Sequence, residues 1–136
     1  MQEPHSAVQD VRVVRFYTVR NADLSCNQFT LDPLSLSIKK SVISSDPVRF
    51  LTGFSLAIKD SKALYLTGSG PDWTTSSAMR LNLKASSASW MPGPNLLTER
   101  SFHSSCVMAQ KLFVVGGTDM YLKPAKKIEF IDLNRW

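Results

Sequence analysis

Apolar residues gather in a series of short windows and alternate strictly with polar ones at 34–38 and 79–83. The clearest are 11–19, 28–31, 34–38, 54–58, 64–67, 79–83, 102–108, 112–115 and 128–133. Period-two alternation turns one side of a strand towards a core and the other towards water or a second layer. Turn-forming residues separate nearly every pair of windows: Asp32-Pro33, Asp46-Pro47, Gly68 to Pro71, Pro92-Gly93-Pro94 and Gly116-Gly117. No window of ten or more residues carries a capped apolar stripe at helical spacing. The pattern predicts an all-β chain of short strands.

Comparison of the chain with itself shows a second level of order. Leu64 to Ser69 aligns with Leu112 to Gly117 at an offset of 48, and Trp90 and Trp136 lie 46 apart. Residues 29–32, 79–82 and 129–132 align at successive offsets of 50. Each unit runs strand, tight turn, strand ending in small residues, longer loop, strand, and then tryptophan or a further apolar strand. A unit of about 50 residues holding four short strands is the size of one propeller blade.

Three segments of the last unit, Arg100 to His103, Leu112 to Gly117 and Ile128 to Asp132, together with Trp136, resemble the Kelch motif. In that motif a first strand carries arginine and histidine, and an apolar second strand ends in Gly-Gly. A third strand reads apolar-Glu-x-aromatic-Asp, and a tryptophan follows. Residues 96–136 match well, although Ile131 stands where an aromatic is usual. Residues 50–95 match more weakly, with Gly68-Ser69 for the double glycine and Leu81 for the aromatic, and 8–45 keep only the strand order.

The resemblance implies a partial β-propeller made of Kelch-like four-stranded antiparallel blades. Residues 1–10 would be a tail, 11–45 a degenerate partial blade, 46–95 a blade, and 96–136 a blade lacking its last strand. It also implies a non-enzymatic protein–protein interaction module, such as substrate capture for cullin-type ubiquitin ligases or contact with the actin cytoskeleton. Galactose-oxidase-type enzymes resemble the same repeat and hold copper through tyrosine, cysteine and histidine. Tyr17, Tyr65, Tyr121, His5 and His103 form no recognisable ligand pattern, so neither cofactor nor metal is expected. A ring takes about four to eight blades, and this chain supplies fewer than three. The expectation is a piece of a longer propeller. A ring closed by several copies and a self-contained β-sandwich remain as alternatives, and open blade edges leave a route to self-association.

Physical roles for the motif residues follow from their types. Gly116 and Gly117 follow an apolar strand, so the chain is expected to turn sharply there, where a side chain would clash or where φ is positive. Trp90 and Trp136 are large enough to fill the space between adjacent sheets. Arg100 either pairs with Glu129 inside the fold or stands exposed for binding. His103 and Asp132 complete the structural motif. The long loops 71–77 and 118–126 are the candidate partner contacts, with Asp72, Trp73, Asp119, Tyr121 and Lys123 as their chemistry-bearing residues.

Composition narrows the remaining classes. The net charge is +5, but the basic residues are scattered, densest at Lys39-Lys40 and at Lys123 with Lys126-Lys127. Neither cluster is interleaved with aromatics, so no nucleic-acid surface is expected. Cys26 and Cys106 lie in apolar stretches and read as free core thiols of a reducing compartment. Neither a secretory leader nor a membrane-length apolar run stands in the sequence, and a cytoplasmic protein without membrane contact is the default. His103 sits beside Ser101, Ser104 and Ser105, but no GxSxG elbow accompanies it, and a structural histidine is expected. Gly68 to Trp73 lacks the lysine of a phosphate loop. Asp60, Asp72, Asp119 and Asp132 show no paired acid–base or calcium spacing.

Overall fold

The computed structural model describes residues 14–19, 26–44, 53–68, 76–86 and 88–136. These form three antiparallel sheets. Sheet 1 holds β1 (Val14–Val19), β2 (Cys26–Asp32) and β3 (Ser37–Ser44) in that order. Sheet 2 holds β4 (Ser55–Lys59), β5 (Ala63–Thr67), β6 (Ala78–Asn82) and β7 (Trp90–Pro92). Sheet 3 holds β8 (Ser101–Met108), β9 (Lys111–Thr118) and β10 (Glu129–Asp132), followed by a 3-10 turn at Leu133–Arg135. There is no α-helix among the described residues. The chain is all-β, as the alternation predicts.

Two strand windows need correction. Residues 34–38 are not a strand: Pro33 to Leu36 form a turn, and β3 starts at Ser37 and runs on to Ser44. The Asp32 carboxylate accepts the Leu34 N–H at 2.9 Å, and Leu36 takes φ 54°. Such an Asx turn overrides a short alternation when proline has already fixed φ. The last window is shorter than 128–133, because Ile128 precedes β10 and Leu133 lies in the 3-10 turn. Of 11–19, residues 11–13 lie outside the described residues.

Tight hairpins set the register within sheets 2 and 3. The β4–β5 turn places Asp60 and Ser61 at φ 48° and 51°, and the β8–β9 turn places Ala109 and Gln110 at 47° and 60°. Two central residues with positive φ match the right-handed twist of the flanking strands. The next connection repeats as well. Leu83 N–H donates to Lys62 C=O at 2.8 Å, and Leu133 N–H donates to Gln110 C=O at 2.9 Å. These bonds join residues that the offsets of 50 and 48 make equivalent.

Packing carries the same repeat. Sheet 2 is buried on both sides, and every residue of β5 is buried. On its front face Leu64, Leu66, Leu81 and Trp90 pack with Cys26, Tyr17 and Ile43 of sheet 1. On its rear face Ala57, Ala63, Tyr65 and Ala78 pack with Leu112, Val114, Ile131 and Leu133 of sheet 3. Leu112, Val114, Ile131 and Trp136 therefore do for sheet 3 what Leu64, Leu66, Leu81 and Trp90 do for sheet 2: each set faces the sheet before it. The Trp136 indole meets the Tyr65 ring edge-on at 5.2 Å, and a Cβ on Gly93 would run into that indole. Cys26 is fully buried as expected, whereas Cys106 lies on the exposed side of β8, so its expected core role does not hold.

Truncation of Leu66, which is 0% exposed, should cost about 2–5 kcal/mol in urea unfolding. Leu97→Ala, at a position 95% exposed, should stay within roughly 0.5 kcal/mol of the parent chain. Equal effects at the two positions would contradict this packing.

Candidate functional site

Arg100 is wholly buried just before β8, and its partner is Glu129 at the start of β10. Arg100 Nη2 donates to Glu129 Oε1 at 2.5 Å. Arg100 Nη1 donates to the carbonyls of Gly116 at 3.1 Å and Lys127 at 3.0 Å. Glu129 also accepts the Leu97 N–H at 2.6 Å and the Thr98 N–H at 3.0 Å. One ion pair thus ties together β8, the Gly116 stretch of β9, β10 and the 95–99 connection. Burial alone would raise the Glu129 carboxyl, but the bonds from Leu97, Thr98 and Arg100 and the guanidinium charge hold it below its ordinary value. Of the two readings of Arg100, the geometry is that of a clamp, not of an exposed contact.

His103 stands at the seam between sheets 2 and 3, on the same face of β8 as Ser101 and Ser105. Its Nε2 lies 2.9 Å from Thr67 Oγ1. Beside it, Ser55 and Ser105 share a 2.7 Å hydroxyl–hydroxyl bond, and Lys59 Nζ donates to Gln110 Oε1 further along. Burial first, and the neighbouring Arg100 charge second, push the imidazole down to about 4, against a weaker opposing effect of the Thr67 bond. The ring is neutral at ordinary pH and joins sheet 3 to Thr67 of sheet 2.

Gly116 and Gly117 do not turn the chain. β9 continues through both to Thr118, with His103 opposite Gly116 and Ser101 opposite Thr118. Both have positive φ, 72° and 84°. A Cβ on Gly117 would press on the Ser101 carbonyl oxygen and on His103. The need for glycine comes from backbone conformation and close approach, while the reversal comes later. Asp132 accepts the Asn134 N–H at 3.0 Å and caps the 3-10 turn that leads to Trp136.

The β9–β10 loop is organised by one side chain. Asp119 Oδ1 accepts the backbone N–H groups of Tyr121 and Lys123, each at 2.9 Å. The Asp119 N–H donates to Lys123 C=O at 3.0 Å, and Ala125 N–H donates to Gly117 C=O at 2.9 Å. Held in this way, Met120, Tyr121 and Leu122 project from the tip with 63%, 73% and 76% of their surfaces exposed. Asp72 and Trp73, the candidates on the other long loop, lie outside the described residues.

A groove of about 720 Å³ that the sequence did not reveal runs between residues 94–98 and β10. Leu97, Ile128 and Phe130 line it together with Lys127 and Arg135. The signal that could have found it is the alternation of Ile128 and Phe130 with the buried Glu129 and Ile131, leading into the edge strand of sheet 3. Among the described residues, no three His, Cys, Asp or Glu side chains are grouped as a metal site. Tyr17, Tyr65 and Tyr121 lie on β1, on β5 and in the β9–β10 loop. No helix among the described residues is long and apolar enough to cross a membrane. No family model matches the chain, and no match emerges among curated proteins.

Arg100→Met should cost about 3–5 kcal/mol by leaving Glu129 buried and unpaired. Acid should destabilise the fold in two stages. His103, lowered from 6.5 to about 4, binds its proton more readily in the unfolded chain, so its contribution is complete above pH 6.5 and fades as pH falls towards 4. Glu129 adds a loss below its ordinary value of 4.5. A His103→Asn variant should flatten the upper part of the profile in urea unfolding between pH 4 and 7. An unchanged slope would show that His103 does not titrate as described.

Proposed function

We propose that this chain is a non-enzymatic protein–protein interaction module and that its three sheets are successive wedges of a partial β-propeller with Kelch-like blades. The observation that carries the reading is the Asp119-ordered loop. It holds three consecutive large apolar residues in water on a frame fixed by the Arg100–Glu129 clamp. Exposed aromatic and aliphatic side chains on a preset loop lose little conformational entropy on binding, which is what an anchor needs. The architectural half of the reading is supported by repeated packing: the aliphatic residues and tryptophan of sheet 2 rest on sheet 1, and those of sheet 3 rest on sheet 2. The resemblance to Kelch proteins names ubiquitin-ligase or cytoskeletal components as partner classes.

Capture from cell extract, compared between the parent chain and Tyr121→Ala with Leu122→Ser, tests the reading. Specific partners should be lost from the double variant while its unfolding midpoint stays close to that of the parent. Asp119→Ala, which releases the loop without touching its tip, should weaken the same capture. Undiminished capture by both variants would remove the loop from the interface.

A further inference from the structure

The end of sheet 3 that carries the Asp119 loop holds another exposed apolar residue, Phe102, in an uncommon backbone state. Phe102 has φ 56° and is 64% exposed. The other non-glycine residues with positive φ among the described residues lie in turns or loops: Leu36, Asp60, Ser61, Ala109, Gln110 and Leu122. Phe102 alone lies within a strand. Its N–H donates to Gly53 C=O at 2.7 Å, and a Cβ on Gly53 would stand 3.5 Å from its Cδ2. Any residue but proline can make that backbone bond, and glycine would make it without the steric cost of the positive φ. The fold itself therefore does not call for an aromatic side chain here. A bulky residue held at such a φ and largely in water points to a use outside the fold.

Phe102 and the loop share one rim. Ser101 opposes Thr118 and His103 opposes Gly116, which sets Phe102 across from Gly117. Gly117 C=O accepts the Ala125 N–H, and Thr118 pairs with Pro124. Phe102, the end of β9 and the returning limb of the loop thus lie side by side, and Gly117 has no side chain to cover the ring. The charge of this rim is one-sided. Lys123, Lys126 and Lys127 are exposed, while the one carboxylate of the loop, Asp119, has its Oδ1 engaged by the Tyr121 and Lys123 N–H groups.

We propose that Phe102 is a further anchor of the interface formed by the Tyr121 loop, and that the partner segment it receives is an acidic peptide with large apolar side chains. The inference rests on the reading of that loop as an interface, and adds to it one contact residue and the chemistry of the partner. Apolar groups of the peptide seat on Phe102, Tyr121 and Leu122, and its carboxylates lie along Lys123, Lys126 and Lys127. Aromatic anchors beside a charged rim are the common anatomy of such a surface, with the charges giving steering and selectivity more than affinity. Phe102 stands at the level of the strands, below the loop tip. A flat lipid surface that takes up the tip would leave it in water, whereas an extended peptide can run from tip to root.

A random peptide library displayed on phage and selected on the purified chain tests this, with the selected peptides synthesised and measured by fluorescence polarisation. They should be rich in Asp and Glu around large apolar residues, and added salt should weaken their binding. Phe102→Gly should weaken it by about tenfold or more, as should Lys126→Glu with Lys127→Glu, while Phe102→Tyr should bind like the parent. The urea midpoint of Phe102→Gly should be no lower than that of the parent, which a side chain kept for packing would not allow. Selection of no peptide or of peptides without acidic residues, full binding by Phe102→Gly, or a lowered midpoint for that variant overturns the proposal. So does binding to phosphatidylserine vesicles in place of peptide. The double variant Tyr121→Ala with Leu122→Ser separates the two readings. If it loses the peptide while Phe102→Gly keeps it, the loop interface stands and the Phe102 anchor falls. If the double variant also keeps the peptide, the loop reading falls as well.

Discussion

Small sheets cannot stand by themselves. A strand of five residues offers few ladder bonds and one modest apolar side, and a lone hairpin is at best marginal in water. The constraint on this molecule is therefore the burial of sheet 2 between its neighbours. Leu64, Leu66 and Leu81 lose their water to sheet 1, and Tyr65, Ala57 and Ala63 lose theirs to sheet 3. The small residues on the rear of sheet 2 matter as much as the large ones. Three alanines let the bulky front of sheet 3 approach, and Trp136 reaches Tyr65 across the gap. Large faces small at this seam, as close packing requires.

The buried ion pair serves a different end. An arginine and a carboxylate taken out of water together gain little over an apolar pair of equal volume. What Arg100 adds is direction. Its donors reach two carbonyls and a carboxylate on separate elements, and Glu129 passes the constraint to the backbone of Leu97 and Thr98. Sheet 3 thereby gains a fixed relation between its first and third strands and the segment arriving from sheet 2. The exposed loop between β9 and β10 springs from that frame, so its tip residues are presented from a rigid base.

The sequence made most of this legible where local chemistry and global packing agree. Alternation located β5, β6, β8 and β9 because one or both sides of those strands are buried. The offsets of 48 and 50 found Leu64 with Leu112 and Leu81 with Ile131 because equivalent residues meet equivalent neighbours. The reading failed where a local bond outweighed the pattern. At Pro33 to Leu36 the Asp32 carboxylate captures the backbone, and the apolar Leu34 and Leu36 end up in water. Cys106 failed for another reason: an outward position on an end sheet has the same apolar neighbours in sequence as an inward one. The groove beside β10 was half hidden: Ile128 and Phe130 mark one wall, but residues 94–98 come against it through the burial of Leu96 and the bonds of Leu97 and Thr98 to Glu129, contacts distant along the chain.

One feature of the connectivity bears on how the chain reaches this state. Every ladder in the three sheets joins strands adjacent in sequence, with sheet 2 running straight through from β4 to β7. Closing such short loops takes little time and little entropy, so each hairpin can nucleate by itself. The encounters distant along the chain are the docking of finished sheets on one another. Collapse of each meander should therefore precede the search, and the barrier should lie where the indoles find their seats.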